Sequence, residues 1–249
     1  MKRIHAGIAL VLGLAVSGTA GAGGAFTGRV GLTGGTYEFD EKFIDQGCCG
    51  NPLGTEFTDE TSSGQYGLIA GIGLTAGRFF ADGGLEYSKY TKDRDTDFDG
   101  NEDTAFYRTD LLLTLGVFIG DRWTVFGGYR NATFGDGFRS EDPAGFGNTE
   151  DGPFLGGGVS FRPGKKISLG TSVAYNLLTL SSDGTAFDDL DLEGISAKVQ
   201  MSFLGTPHAV FLRWQHFDGD ESVGGSYDYE YTEDYVNLGY QATFDFASW

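Results

Sequence analysis

The stretch that decides the fold is Tyr107–Ile119, YRTDLLLTLGVFI, in which two kinds of side chain alternate. Its odd-numbered positions are Tyr, Thr, Leu, Leu, Leu, Val and Ile, whereas its even-numbered positions are Arg, Asp, Leu, Thr, Gly and Phe. Successive side chains of a β-strand point to opposite faces, so this period of two predicts a strand with one apolar side. The other side is mixed, and it carries both a cation and an anion.

The same alternation recurs along the chain, and helical periodicity is hard to find after residue 25. Gln65–Ala76, Ile167–Leu177 and Val236–Phe246 each place apolar residues on one side and glycine or polar residues on the other. The pattern predicts strands at 25–39, 65–76, 79–90, 104–119, 123–134, 153–162, 167–180, 190–204, 208–217 and 228–246. With 40% hydrophobic residues, and 42 glycines that follow no three-residue period, the chain is neither disordered nor collagen-like.

The predicted connections differ in length at the two ends of the strands. Those at 77–78, 120–122, 163–166 and 205–207 are tight turns, whereas those near 40–64, 91–103, 135–152, 181–189 and 218–227 are long and polar. Short turns at one end and long loops at the other are typical of a meandering transmembrane barrel. A soluble sandwich, the alternative, would mix its connection lengths. We therefore predict an all-β, ten-stranded antiparallel up-and-down transmembrane barrel, with eight or twelve strands as alternatives.

Aromatic residues at the ends of the apolar faces favour the membrane interpretation. Amphipathic rings concentrate at both interfaces of a bilayer and form two girdles around a transmembrane barrel. The predicted girdle at the long-loop end is Tyr66, Tyr87, Tyr107, Tyr129 and Tyr175. The predicted girdle at the short-turn end is Phe79, Trp123, Phe161, Phe203 and Phe246, with Phe26 beside them.

The first 22 residues have the pattern of an export signal. Lys2 and Arg3 precede the apolar run Ala6–Val16, and Ala20-Gly21-Ala22 has the small residues of a signal-peptidase site. The apolar run is too short to span a bilayer as a helix, and a buried N-terminal helix is the alternative. We predict a signal peptide at 1–22 and a barrel at 23–249, with both termini in the periplasm.

The C-terminal stretch Asn237–Phe246 carries a family resemblance. Its alternation ending in an aromatic residue resembles the terminal strand of small bacterial outer-membrane β-barrels, the OmpA-like and porin-like superfamily. The chain departs from that pattern, because Ala247-Ser248-Trp249 follows Phe246. The resemblance implies a bacterial outer-membrane protein of the cell envelope. It also implies contact with outer-membrane lipid and lipopolysaccharide, and recognition by the barrel-assembly machinery during biogenesis.

Most acidic residues fall in the predicted long loops, and the whole chain has a net charge of −18. Such an acidic chain is a poor nucleic-acid binder, because it has little to offset phosphate repulsion. The short turns instead carry Arg78, Arg122, Lys165 and Lys166. The acidic loops either keep the outer rim solvated or bind divalent cations that bridge them to each other or to lipopolysaccharide phosphates.

Charged residues also occur on the faces opposite the predicted lipid side. They are Arg29, Asp82, Glu86, Arg108, Asp110, Arg130, Arg162, Lys198, Arg213 and Asp245. A ten-stranded barrel is narrow, and an isolated buried charge is costly, so these groups are expected to pair. The pattern favours a lumen largely plugged by an ion-pair network, and a narrow cation-favouring porin lined by the same groups is the alternative.

Two motifs in the long loops suggest chemistry. Asp95-Thr96-Asp97-Phe98-Asp99-Gly100 matches the first half of a calcium loop, so Asp95, Asp97 and Asp99 are candidate ligands for weakly bound Ca²⁺. The motif is incomplete, because Phe106 stands where the bidentate Glu belongs. The adjacent pair Cys48-Cys49 can form a vicinal disulfide in an oxidising compartment, and intermolecular pairing or free thiols are the alternatives.

Histidine is scarce enough to restrict catalytic hypotheses. His216-Phe217-Asp218, together with Asp95 and Asp97, resembles the omptin outer-membrane proteases, which are also ten-stranded barrels. Their motif places Asp two residues before His, whereas this chain has the reverse order. We therefore expect a non-enzymatic structural or surface-interaction barrel without a cofactor, apart from the candidate calcium. A porin for ions or small solutes is the first alternative, and an omptin-like surface hydrolase is the remote one.

Overall fold

The protein is an all-β barrel in the computed structural model, which describes residues 24–45, 54–91, 107–135, 147–183, 189–223 and 227–248. It has ten strands: β1 Gly24–Asp45, β2 Thr55–Ala76, β3 Phe79–Tyr90, β4 Tyr107–Ile119, β5 Trp123–Gly135, β6 Gly147–Phe161, β7 Ile167–Asp183, β8 Leu190–Phe203, β9 His208–Val223 and β10 Tyr227–Ser248. The described residues contain no helix long and apolar enough to cross a membrane.

Every strand pairs antiparallel with its sequence neighbours, and β1 closes the sheet by pairing with β10. A register shift between Phe26 and Thr27 is the irregularity at this seam. Closure leaves no open sheet edge, so the backbone groups along the strands are paired internally. The predicted ten-stranded antiparallel up-and-down barrel is confirmed.

The tight turns fall where the sequence predicts them. Gly77, Gly120 and Gly205 have φ of 60°, 64° and 81°, in the left-handed region that glycine adopts without steric cost. They connect β2 to β3, β4 to β5, and β8 to β9. These turns fix the short-turn end of the barrel.

The outward face carries a continuous apolar belt. Leu32, Leu115 and Leu238 are 58%, 67% and 65% exposed, although they lie on central parts of three different strands. Soluble monomers rarely expose apolar patches of this extent, because hydrophobic surface is stabilised by removal from water. The barrel is therefore built to have an apolar solvent around its waist.

Above the belt, at the long-loop end, the strands extend further than predicted. Here the inward positions are mainly apolar and the outward positions are polar, the reverse of the arrangement in the belt. In Tyr227–Tyr235, YDYEYTEDY, the side chains of Tyr229, Tyr231, Glu233 and Tyr235 are buried inside the barrel, and Glu230, Thr232 and Asp234 face outward. The next outward residue, Val236, is apolar and exposed. This end of the barrel is therefore apolar inside and polar outside, as in a water-soluble barrel.

The extended strands correct the predicted loop boundaries. The predicted loop at 40–64 is wrong at both ends, because β1 continues to Asp45 and β2 begins at Thr55. Likewise β6 begins at Gly147 and β9 continues to Val223, inside predicted loops. The charged residues of these stretches predict loops, but charges on an outward strand face in water are compatible with strand pairing.

Candidate functional site

The upper lumen, at the long-loop end, is filled by buried apolar side chains from seven strands. They are Tyr37, Phe39, Tyr90, Ala132, Phe134, Leu178, Leu180, Leu190, Leu192, Phe217, Tyr229, Tyr231 and Tyr235, hereafter the aromatic plug. The ring of Tyr37 lies 4.7 Å from that of Tyr235 and 4.8 Å from that of Tyr90, centroid to centroid. Ring pairs at these separations add to the stabilisation that burial gives. The barrel thus has a packed interior at this level.

Arg108 lies inside the aromatic plug and contacts three carboxylates. Its guanidinium is 2.6 Å from Glu233, 3.3 Å from Glu150 and 2.7 Å from Asp110, measured between nitrogen and oxygen. The side chains of Arg108 and the two glutamates are 2% and 0% exposed. The guanidinium also lies 4.2 Å from the centroid of the Tyr235 ring, in cation–π contact.

Arg130 extends this cluster across the neighbouring strand. Its guanidinium is 3.0 Å from Asp110 and 4.0 Å from Glu150, and it lies 4.6 Å from the centroid of the Phe217 ring. The Tyr231 hydroxyl donates a hydrogen bond of 2.8 Å to Glu233. Two arginines and three carboxylates therefore form one buried network, which strands β4, β5, β6 and β10 supply.

Glu150 and Glu233 are the members of this network that the sequence prediction missed. Both were assigned to acidic loops, whereas the structure places them on inward faces of β6 and β10. The period-two pattern of Tyr227–Tyr235 was the available signal, since it puts Glu233 in phase with the inward tyrosines.

Below the aromatic plug lie two further ion pairs and an amide contact. Arg29 donates two hydrogen bonds to Asp82, of 2.8 and 2.9 Å, and Arg213 lies 2.7 Å from Glu86. The side-chain amides of Gln65 and Asn237 meet at 2.7 Å. Eight of the ten predicted lumen charges thus lie inside the barrel, and seven of these eight are in ion pairs. The prediction is wrong for Arg162 and Asp245, which are exposed at the short-turn end, where the strands leave the packed interior.

The eighth lumen charge, Lys198, lies at a cavity in the middle of the barrel. The cavity offers about 130 Å³ to the centres of water molecules. Its walls combine apolar side chains such as Phe126, Phe154 and Phe211 with polar ones such as Lys198 and Gln241. A space of this size holds several waters, so the lower lumen is not packed as the upper lumen is.

The predicted girdle residues lie on the outer face of the barrel. Phe79 and Trp123 are 69% and 60% exposed at the short-turn end. Towards the other end, Tyr129 donates a hydrogen bond to Asp151, and Tyr175 donates one to Glu193. Tyr129 pairs with Pro153 on the next strand, and Tyr175 pairs with Ile195. In both cases the carboxylate lies two residues from that paired residue, on the side of the long-loop end. Tyr87 and Tyr107 stack at 5.6 Å.

His216 also lies on the outer wall of the barrel. Its Nδ1 is 3.2 Å from Asp234 and its Nε2 is 3.6 Å from Asp218, and its ring is parallel to that of Trp214. The omptin-like hypothesis also invoked Asp95 and Asp97, which lie outside the described residues, as do the rest of the candidate calcium loop, Cys48-Cys49 and the predicted signal peptide. Within the described part of the chain, no group of three or more His, Cys, Asp or Glu is placed to hold a metal ion.

Comparisons with known proteins bear on the fold. No protein-family model matches the sequence, and no curated protein matches it. The chain is similar to the outer membrane protease OmpT from Escherichia coli, with a TM-score of 0.54 and 11% identity, over 88% of this chain and 97% of that one. The fold is that of an outer-membrane β-barrel.

Two channel structures show weaker similarity. The COG4313 outer membrane channel from Pseudomonas putida F1 gives a TM-score of 0.39 and 12% identity, over 87% of this chain and 95% of that one. A Pseudomonas aeruginosa FadL homologue gives 0.31 and 10%, over 90% and 91%. None of these comparisons singles out the OmpA-like or porin-like members of the outer-membrane barrel class.

Proposed function

We propose that this barrel resides in the bacterial outer membrane with a closed lumen and acts as a non-enzymatic structural or surface-interaction protein. The observation that carries the proposal is the aromatic plug with Arg108 and its two glutamates buried inside it. A conducting pore needs a continuous file of water. The packed side chains of the upper lumen interrupt that file.

The energetics of the buried network support a permanently closed state. Opening a path beside Arg108 would separate it from Glu150 or Glu233, and removing one partner of a buried ion pair costs about 3–5 kcal/mol. Because β4, β6 and β10 each supply a partner, any widening of the barrel at this level breaks at least one contact. The network therefore ties the walls together across the lumen.

The outer wall above the belt supports a role at the cell surface. Exposed carboxylates lie on the strand extensions: Glu38, Asp40, Glu56, Asp191, Glu193, Asp218, Asp220 and Glu230. Lys42 lies 3.4 Å from both Glu56 and Glu230, and the hydrogen bond from Glu56 raises the pKa of the lysine above its usual range. We propose that this acidic wall contacts the headgroup layer, including lipopolysaccharide, through divalent cations, with both termini in the periplasm and assembly by the barrel-assembly machinery.

The position of His216 supports the non-enzymatic part of the proposal. The imidazole and its two aspartates face away from the lumen, next to the exposed ring of Trp214. A substrate cleft at the top of the barrel would not reach this side of β9. An interfacial histidine held by neighbouring carboxylates is the simpler account.

Planar-bilayer conductance tests the closed lumen. The wild-type protein should insert without steady single-channel steps, whereas a variant with Tyr37→Ala, Tyr231→Ala and Tyr235→Ala should conduct, because it removes three rings of the plug. Tyr66→Ala, which removes an outward-facing ring, is the matched control and should stay silent. Steady cation-selective steps in the wild type that are lost when Arg108 or Asp110 is replaced would establish the porin alternative.

A further inference from the structure

Among the described residues, Lys198 differs from the other lumen charges in having no counter-ion within 4.0 Å. Nine charged side chains of the lumen lie within 4.0 Å of an opposite charge: Arg29, Asp82, Glu86, Arg108, Asp110, Arg130, Glu150, Arg213 and Glu233. Among the described residues, no carboxylate approaches the Lys198 ammonium that closely. Its Nζ instead lies 4.4 Å from the centroid of the Phe211 ring. A cation left in this position favours an anion as a partner.

Gln241 supplies a second unsatisfied group on the same cavity. Its side chain is 1% exposed, and neither its amide nitrogen nor its amide oxygen has a hydrogen-bond partner. Both Gln241 and Lys198 line the central cavity. Buried polar groups are nearly always hydrogen-bonded, so an amide without a partner beside an open space indicates that something polar occupies that space.

Apolar side chains line part of the cavity, beside the ion-paired Glu86, Asp110, Arg130 and Arg213 and polar residues such as Thr114 and Asn176. The apolar residues are Ile69, Leu112, Phe126, Phe154 and Phe211. A lone inorganic anion would leave these side chains facing water. A molecule with one anionic end and an apolar body would instead satisfy both parts of the wall.

The cavity has a neighbour on the side of the short-turn end. A second, smaller cavity shares Ser172 and Lys198 with the first, and small residues such as Gly158, Gly170 and Ser168 line it. A methyl group added at Gly170 would meet no atom within 4 Å. The aromatic plug fills the opposite end, so we expect a ligand to enter from the short-turn end.

We propose that the lower lumen is a blind pocket for a small organic carboxylate. Lys198 donates to the carboxylate, Gln241 supplies a further hydrogen bond, and the apolar body of the ligand packs against Phe126, Phe154 and Phe211. Ligand binding at Lys198 and Gln241 does not depend on whether the barrel conducts. The binding experiment therefore tests the pocket independently of the closed upper lumen.

Hexanoate is a suitable probe, with hexanamide lacking its charge and acetate lacking its apolar body. The experiment uses protein with isotope-labelled isoleucine methyl groups in lipid nanodiscs. The Ile69 methyl signal reports on the cavity, and Ile119 and Ile195, which are exposed on the outer face, report on partitioning into lipid. Hexanoate should shift the Ile69 signal saturably and leave the two outward signals unchanged.

Substitutions in the pocket identify the groups that bind. Lys198→Met should weaken hexanoate binding roughly tenfold or more, because a charge-assisted hydrogen bond is lost. Gln241→Leu should weaken it less. Lys165→Met, which removes an exposed lysine in a turn at the same end, is the matched control and should bind as the wild type does.

Three outcomes would overturn the site. Equal binding of hexanamide and hexanoate would remove the role of the charge, and equal binding of acetate would remove the role of the apolar wall. Shifts of the Ile119 and Ile195 methyl signals without a shift of the Ile69 signal would show that hexanoate partitions into lipid rather than binding in the cavity. The comparison of probes uses the wild-type protein, so it decides the question even if Lys198→Met does not fold.

Discussion

Arg108 on β4 reaches across the lumen to Glu233 on β10, with 2.6 Å between guanidinium nitrogen and carboxylate oxygen. The two strands are not neighbours, because β3, β2 and β1 separate them on the shorter way round the barrel. The contact therefore does not follow from sheet pairing. It joins opposite walls at the level where the lumen is packed.

Removing this arginine tests how far the cross-lumen contact stabilises the barrel. Arg108→Met keeps much of the side-chain volume but leaves Glu150 and Glu233 buried without their main cation. We expect the free energy of unfolding to fall by about 3–5 kcal/mol. Urea unfolding in lipid vesicles, followed by tryptophan fluorescence, measures it.

Two further variants isolate the electrostatic cause of that loss. Adding Glu233→Gln to Arg108→Met should recover part of the stability, because one uncompensated buried charge is removed. Arg78→Met, in the exposed turn after β2, should change stability little. If Arg108→Met and Arg78→Met had equal effects, the network would contribute nothing to the closed state.

The side chains of Tyr175 and Glu193, which share a hydrogen bond, should show a weak coupling free energy. A double-mutant cycle of Tyr175→Phe and Glu193→Gln should give a favourable coupling that declines as ionic strength rises, because both side chains are exposed. The cycle of Tyr175→Phe with Asp191→Asn, on the same face of β8, should give none. A coupling independent of salt would contradict an interfacial position in contact with water.

Glycines at two inward positions should differ sharply in their tolerance of a side chain. A methyl group at Gly128 would overlap the carbonyl oxygen of Leu113 and approach the Phe154 ring, whereas one at Gly170 would meet open space. Gly128→Ala should therefore destabilise the barrel by about 1–3 kcal/mol through forced displacement of the neighbouring strand. Gly170→Ala should be neutral or stabilising by about 0.5 kcal/mol, because it restricts the unfolded chain.

The same unfolding assay compares the two glycine variants. Equal losses for Gly128→Ala and Gly170→Ala would show that the space beside Gly170 is packed, and would contradict the open lower lumen.

The barrel could be predicted from the sequence because every strand in a membrane needs apolar residues at its outward positions. Apolar residues recur in a fixed phase from Tyr107–Ile119 to Val236–Phe246, and the turns at Gly77, Gly120 and Gly205 need glycine. The inward position of Arg108 and Asp110 followed from the same phase. The partners of these residues across the lumen could not be predicted from that phase, because strand register and barrel closure decide which distant strands face each other.

The strand extensions above the belt were missed for a physical reason. Above the belt the outer face meets water, so polar residues such as Glu230 and Asp234 face outward, whereas Tyr229, Tyr231 and Tyr235 lie inside and Glu233 lies inside with them. Reading charge as a sign of a loop therefore placed Glu233 outside the barrel. The unpaired state of Lys198 also depends on three-dimensional packing, since Asp82 and Glu86 have arginines of their own.

Nitroxide scanning of positions 111–117 on β4 tests the central claim, that lipid surrounds the apolar belt. With Cys48 and Cys49 replaced by serine, single spin labels are placed along the strand in lipid vesicles. Labels at the odd positions should be accessible to oxygen, which partitions into the bilayer, and protected from a water-soluble nickel chelate, whereas labels at the even positions should be less accessible to oxygen. Odd positions that respond to the nickel chelate instead would show that water surrounds the belt, and the account of this protein as a membrane barrel would be wrong.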